Sequence, residues 1–555
     1  MKIIDPHAIR KSICRFRHLA LCVGLFSLCA CGASGGGAPT TASGQDNGSA
    51  LLVPDAGAVS MLAASSLPAN WSQGAFMQIH VRAYQDSNGD GVGDLQGLID
   101  RLDYLQDLGV KGLWLLPVTQ SSDRDHGYAV TNYRGIELDY GAMADFEKLL
   151  TQAHLRGMGV VIDYVINHSS NQHPLFLNAA SSSTHAQRDY FVWQNPAPAG
   201  WGIYGKNPWY PSSWGNGYYF AGFTASMPDF NWKQKDVENF HHDNMRFWLN
   251  KGVDGFRFDA VGNLVENGPS AWESQPENHT VMNKVRQTVM QYPQRFMVCE
   301  APANPQAFAA ATSCGAAFAF DLKDAITGAA QGDVNAIAKL NAYYKTSSPA
   351  LSAFVSNHDS FAGKRLWDQV QGNIAQYKLA AASYLLMPGT PFIYYGEEIG
   401  MAAAANLSGD AALRTPMSWT ADAKGFSTGT AFRAISGNVS SQNAATQIGV
   451  AGSIHSFYKS LLNLRNTLPS ISRGSYEAAW TQQQSMGFQR VLGSEKTWVV
   501  FNYGLAPMQL SLNNLQAGDK WKALLGDVES FTVTANGNVS LAMPAQSVAV
   551  FQLNN

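Results

Sequence analysis

Gly255-Phe256-Arg257-Phe258-Asp259-Ala260 reads as a buried strand: Phe256 and Phe258 alternate with Arg257 and Asp259, and the leading glycine lets the backbone turn in. The inward face of this strand ends in an arginine and an aspartate. Burying an unpaired carboxylate is costly, so the two are partners or they share a ligand. Taken alone, the stretch also fits an ion pair that does nothing but hold a sheet together. The residues that accompany Asp259 elsewhere in the chain decide between these readings.

Working outward, apolar strand-like runs recur at Ala75–Tyr84, Gly112–Val118, Gly159–His168, Gly255–Val261, Phe296–Pro302, Ala317–Leu322, Leu351–Asp359 and Pro391–Glu397. Helical patterns fall between them, at Leu95–Leu108, Met143–Arg156, Val237–Asn250, Val281–Gln291, Pro305–Thr312, Asn335–Tyr344, Ile374–Met387 and Ile454–Thr467. This alternation predicts an α/β fold, a parallel (β/α)8 TIM barrel whose working residues sit at the C-terminal ends of its strands. The barrel is expected over 71–168 and 236–467. Between them, 169–235 is too long for a structureless loop and reads as an inserted domain after the third strand. Residues 468–555 lose the helical period and read as a C-terminal antiparallel β-sandwich. Ser408 to Gly452, rich in Gly, Asn and Ser, is expected to form a long loop over the barrel mouth.

The 555 residues are 46% hydrophobic and 14% charged, with a net charge of -3, which argues against nucleic acid or an anionic membrane surface as partner. Aromatics, with 14 Trp and 21 Tyr, suit stacking on sugar rings, although large cores use them too. At the N-terminus, Arg10, Lys11, Arg15 and Arg17 precede the apolar run Leu19 to Ala30, too short to span a bilayer. Residues 1–31 therefore read as an export signal. Leu28-Cys29-Ala30-Cys31-Gly32 resembles a bacterial lipoprotein processing site, which would lipidate Cys31 and attach the protein to a membrane; an ordinary signal peptide, giving a secreted protein, is the alternative. Residues 32–70 read as a flexible linker. Beyond the leader lie Cys299 and Cys314, which an exported protein could pair.

The strand ends carry the chemistry. The third strand finishes Asp163-Tyr164-Val165-Ile166-Asn167-His168, the fourth with Arg257 and Asp259, the fifth with Glu300 and the seventh with Asn357-His358-Asp359. Two carboxyls, one ionised as nucleophile and one kept protonated as acid, are what retaining glycoside hydrolysis needs. Asp259, held ionised by Arg257, suits the nucleophile. Glu300, between Cys299 and Ala301-Pro302, has the drier setting of a general acid. A metal site from the same residues is the rival, but the close helical His/Glu spacings of catalytic zinc sites are missing.

Asp163 to His168, Gly255 to Asn263, the strand ending at Glu300, and Phe354 to Asp359 resemble, in order, the conserved regions of the α-amylase family of glycoside hydrolases. Asp125-His126-Gly127-Tyr128, Met227-Pro228-Asp229-Phe230-Asn231, Tyr394-Tyr395-Gly396-Glu397-Glu398 and Arg414-Thr415-Pro416-Met417 extend the resemblance over roughly Trp71 to Leu553. The resemblance implies Asp259 as nucleophile, Glu300 as acid/base and Asp359 as the carboxylate that stabilises the transition state. It implies sugar contacts from Asp125, His126, Tyr128, His168, Arg257 and His358. Ala260 and the Met-Pro-Asp-Phe-Asn segment resemble α-1,4-cleaving amylases of the intermediate type, so an endo-acting α-amylase on starch-like α-glucan and maltooligosaccharides is expected. An exo-acting α-glucosidase, a glucanotransferase and a non-catalytic surface glucan-binding protein are the alternatives. Trp193, Trp201, Trp209, Trp214 and Trp232 could stack on several sugar units, with core packing the alternative for most of them. Gly262-Asn263 departs from the common Lys-His. Calcium is expected in the loop Asp86-Ser87-Asn88-Gly89-Asp90-Gly91-Val92-Gly93-Asp94, through Asp86, Asn88, Asp90, Val92 and Asp94, because oxygen-bearing residues recur at every second position. The resemblance adds Asn167 as a ligand.

Overall fold

The computed structural model describes residues 64–513 and 515–554. The expected export signal, Cys31 and most of the linker lie outside them. Eight parallel strands form the central sheet: β1 (Phe76–Ile79), β2 (Gly112–Leu115), β3 (Gly159–Tyr164), β4 (Gly255–Phe258), β5 (Phe296–Cys299), β6 (Ala317–Phe318), β7 (Leu351–Ser352) and β8 (Phe392–Tyr394). They pair in sequence order, with β8 returning beside β1. The Phe392 N–H donates to the Ala353 carbonyl at 2.9 Å across the remaining gap and joins β8 to the chain leaving β7. This is the expected (β/α)8 barrel.

The period-2 alternation of each strand decides what the barrel encloses. Phe76, Trp114, Val161, Val298, Phe318, Phe354 and Phe392 form one buried cluster in the barrel interior. Two residues further along the same strands, the inward positions become Gln78, Asp163, Arg257 and, just beyond β5, Glu300, all buried. The interior is apolar below and ionisable above. Phe256 and Phe258 face the other way, in the cluster that packs the strands against the helices. Gly255 is required where β4 meets β5: a Cβ built there would lie 1.7 Å from the Phe296 carbonyl oxygen.

The strands are shorter than the apolar runs suggest. Asp259 and Glu300 sit one residue beyond their strands, while His168 and Asp359 lie on the following loops. Leaving the sheet frees these side chains from the strict in-and-out alternation and lets them converge. A helix not expected from the sequence, Lys323–Ala330, precedes Val334–Thr346. No helix among the described residues is long and apolar enough to cross a membrane.

Residues 169–235 hold the helix Pro174–Ser181 and a three-stranded antiparallel sheet of Trp193–Gln194, Tyr218–Phe220 and Trp209–Pro211. Of the two uses open to these tryptophans, most serve packing. Trp193 stacks on Phe176 at 5.7 Å, Trp232 on His241 at 5.0 Å, and Trp201 and Trp209 meet edge to face at 5.9 Å. Trp214 alone of the five is exposed, at 45%.

The last strands, from Ser475–Gln482 to Ser547–Asn554, form a six-stranded and a two-stranded antiparallel sheet that share a core of Trp498, Val500, Leu510, Trp521 and Phe551. Two buried arginines meet at the end of one barrel helix, Arg465 from the barrel's own last helix Ile454–Thr467 and Arg490 from the sandwich. Arg465 donates to the carbonyls of Leu385 (3.1 Å) and Met387 (3.0 Å) at the end of the helix Ile374–Leu385. Arg490, on a sandwich strand, donates to Leu386 O at 3.0 Å and to Gly474 O at 2.7 Å. Cys299 and Cys314 form a disulfide, which joins the end of β5 to the loop before β6.

Candidate active site

Arg257 is the hub of the mouth. Its Nη1 lies 2.7 Å from Asp163 Oδ1 and 2.7 Å from Asp259 Oδ1, and its Nη2 lies 2.7 Å from Glu300 Oε2. One guanidinium therefore brings the two candidate catalytic carboxyls side by side. Ala260 takes a left-handed φ of +47°, which turns the chain sharply after Asp259. That turn aims the Ala260 N–H at Glu300 Oε2, 3.0 Å away.

Burial pushes the Asp259 carboxyl up from its ordinary value; Arg257 pulls against it, and Glu300, Asp163 and Asp359 add to the push. Burial also raises Asp163, to about 6 in spite of Arg257. Asp359 is raised by burial to about 7, opposed by Arg414, whose Nη2 donates to Asp359 Oδ1 at 2.9 Å. Arg257 is not Asp259's alone: it is shared among three acids, Asp163, Asp259 and Glu300.

The expected sugar contacts fall into two groups. His126, Tyr128, His168, Asp259, Glu300 and Asp359 all line a cavity of about 520 Å³. His168 is held neutral by burial, which lowers it to about 3, and its Nε2 has no hydrogen-bond partner among the described residues. His358 and Arg257 lie beneath the cavity. Gln78 Nε2 donates to His358 Nδ1 at 2.6 Å, His358 Nε2 lies 2.6 Å from the Tyr128 hydroxyl, and that hydroxyl donates to Asp163 at 2.9 Å. The chain of bonds fixes Tyr128, whose ring stacks on His358 at 5.6 Å. Asp125 pairs with Arg433 at 2.7 Å.

Several cavity residues were not singled out from the sequence. Asp410 and Arg414 follow β8, Tyr204 and Phe223 come from the inserted segment, and Glu273 and Ser274 follow β4. Arg414 stood in a quoted motif; Asp410 lies on the short helix Gly409–Leu413, and the others lie in aperiodic loops that give no signal of their own. In the ring of eight, β4 and β8 are four places apart, so their loops face each other across the mouth.

In the loop proposed for calcium, Asp86 accepts from the backbone of Asn88, Gly89 and Gly91 and from Ser427, Asn88 from Asp90 N, Asp90 from Val92 N, and Asp94 from Ser87 and Gly97 N. The donors are hard oxygens of the right kind, engaged here with their own loop. Asn167 shares no hydrogen bond with that loop. Its Nδ2 donates to Asp229 at 3.1 Å, while its buried Oδ1 has no partner among the described residues. Asp229 is raised by burial to about 7 and hydrogen-bonds Glu266, whose buried carboxyl is raised as well. The Asn167 amide oxygen is a hard donor of the kind calcium takes, next to Asp229, while no group of three or more acids, histidines or cysteines gathers as a metal site among the described residues.

The family description "Alpha amylase, catalytic domain" matches residues 78–474. The chain is 34% identical over 456 residues to a protein of Dictyoglomus thermophilum named alpha-amylase 3, covering 80% of this chain and 87% of that one. It is 28% identical over 497 residues to an alpha-glucosidase of Pediococcus pentosaceus, covering 75% and 88%. The crystal structure of Bacillus licheniformis trehalose-6-phosphate hydrolase superposes with a TM-score of 0.76 at 25% identity, covering 87% of this chain and 100% of that one.

Proposed function

This chain belongs to the α-amylase family, whose members are retaining glycosidases and glycosyl transferases, and from that premise we propose that it hydrolyses short α-glucosides from their non-reducing ends. One observation carries the exo reading. The segment 408–452 supplies Asp410 and Arg414 to the cavity lining, paired with each other at 3.2 Å, and the Arg414 carbonyl accepts from Arg433, which pairs with Asp125 at 2.7 Å. A charged wall there leaves room for the terminal sugar, whose hydroxyls it meets, and blocks a chain that continues past it. The alpha-glucosidase of P. pentosaceus supports the same reading.

Asp259 attacks the anomeric carbon while Glu300 protonates the departing oxygen. Glu300 then takes a proton from water, which resolves the glycosyl-enzyme with retention. Asp359, paired with Arg414, meets the positive charge that develops on the sugar. Tyr128 lies beneath the ring, and His168 and His126 hold its hydroxyls. Calcium, as a structural ion, would be held by Asn167 and Asp229 or by Asp86, Asn88, Asp90 and Asp94; it would neutralise buried acids away from the reaction.

The second reading is an endo-acting α-amylase on starch, favoured by the 34% identity to alpha-amylase 3 of D. thermophilum. Maltopentaose labelled at its reducing end separates the two. Exo action releases unlabelled glucose first, with the label in maltotetraose. Early labelled maltose and maltotriose would overturn the exo reading.

A further inference from the structure

Gly262 stands three residues after the nucleophile, and its lack of a side chain shapes the cavity. Ser274 N donates to the Gly262 carbonyl at 2.7 Å, and Asn278 Nδ2 donates to the same oxygen at 2.6 Å. The turn Glu273–Ser274 is thereby drawn against the end of β4, with Ser274 in a left-handed φ of +52°. A methyl built on Gly262 would lie 3.6 Å from Ser274 Oγ and 3.8 Å from Glu273 Cγ, so a longer side chain there would take the space that Glu273 holds.

The turn brings three polar groups to one side of the cavity. Glu273 and Ser274 line it beside Asn263, whose Nδ2 lies 3.4 Å from the Tyr204 hydroxyl. Ser274 Oγ is buried with no hydrogen-bond partner among the described residues. Tyr204, 58% exposed, is held edge to face by Trp272 at 5.3 Å. Asn263, Glu273 and Ser274 follow β4, four strands round the ring from Asp410 and Arg414 after β8, and they line the same cavity as Glu300, which protonates the departing oxygen.

We propose that Glu273 selects the departing sugar: its carboxyl, with the Asn263 amide beside it, binds and orders hydroxyls of the ring one position beyond the bond that breaks. The inference rests on the glycosidase reading above. Glycine at 262 and glutamate at 273 act together, because the first makes room for the second. Burial, which raises the Glu273 carboxyl, keeps it in a setting where a hydroxyl partner replaces lost water.

The test is a ratio measured on the full chain: kcat/KM for maltose divided by kcat/KM for p-nitrophenyl α-glucopyranoside. Both substrates place the same glucose in the pocket, and only maltose has a departing sugar. Glu273→Ala is expected to lower the ratio about tenfold, mainly through KM for maltose, and Glu273→Gln to restore part of it. Gly262→Lys is expected to lower it as Glu273→Ala does. A ratio unchanged in Glu273→Ala and in Glu273→Gln overturns the proposal. If the wild-type chain cleaves neither glucoside, the exo reading falls by itself; the same ratio is then read between maltotetraose and p-nitrophenyl maltotrioside, with the same two outcomes.

Discussion

Replacing Asp259 by asparagine is expected to stop the enzyme and stabilise the protein at once. Asp259 shares Arg257 with Asp163 and Glu300, so the exchange removes a buried charge without leaving the arginine unpartnered. Its carboxyl is raised above the ordinary 3.8 by burial, against the pull of Arg257, with Glu300, Asp163 and Asp359 adding to the push. The ionised form is therefore disfavoured by the fold. A neutral isostere removes that cost, a gain on the order of 1–2 kcal/mol. At about 2.1 cal/mol/K per residue, a chain of this length gains about 1 °C in melting midpoint per kcal/mol. A raised carboxyl binds its proton more tightly in the folded state, so its contribution to stability is complete below the unfolded value and is lost as pH rises through the folded one. The advantage of Asp259→Asn is thus near zero at pH 4 and grows towards neutrality. Turnover falls by about 10⁴-fold or more, since no nucleophile remains. Scanning fluorimetry of both proteins across that pH range, with initial rates on the same preparations, checks each part. A variant no more stable than wild type at pH 7 would mean that the attraction of Arg257 outweighs the burial cost, and retained turnover would refute the role of Asp259.

Gly255→Ala drives a methyl into the Phe296 carbonyl, 1.7 Å away, and is expected to cost more than about 3 kcal/mol, read as a lowered urea midpoint or loss of soluble protein. Cys299→Ala with Cys314→Ala opens a loop whose ends are 15 residues apart and is expected to cost about 3 kcal/mol, seen as a lower melting midpoint. Exhaustive chelation is expected to lower the melting midpoint, with recovery on adding calcium; an unchanged midpoint removes calcium from the proposal. Asp359→Asn removes a partner of Arg414, held at 2.9 Å, and is expected to reduce kcat by about 10²-fold or more with little change in KM, which steady-state kinetics on p-nitrophenyl α-glucopyranoside reports.

The barrel was legible because strand and helix periods are local properties of the chain, and eight of each recur between Ala75 and Thr467. Arg257, Asp259 and Glu300 were legible for a related reason: charged residues at the ends of apolar runs stand out against their neighbours. Other features depend on contacts between distant segments. Asp163 was visible as a strand end, but its pairing with Arg257 follows from β3 and β4 lying side by side. Glu273 reaches the mouth through a loop without a period, placed by a glycine contact, and Arg433 is placed by an ion pair across 308 positions. The tryptophans of the inserted segment show the limit of composition, since the same ring serves a sugar or a core and only burial separates the two uses.

Arg465 and Arg490 bear on how the chain can be cut. Together they satisfy the carbonyls of Leu385, Leu386 and Met387, where the helix Ile374–Leu385 ends. A truncated barrel ending before Ser475 would lack Arg490 and expose the face it covers, while an isolated sandwich would carry a buried arginine with one acceptor missing. The β-sandwich is therefore the barrel's own end cap, and a minimal catalyst trimmed from this protein has to keep it.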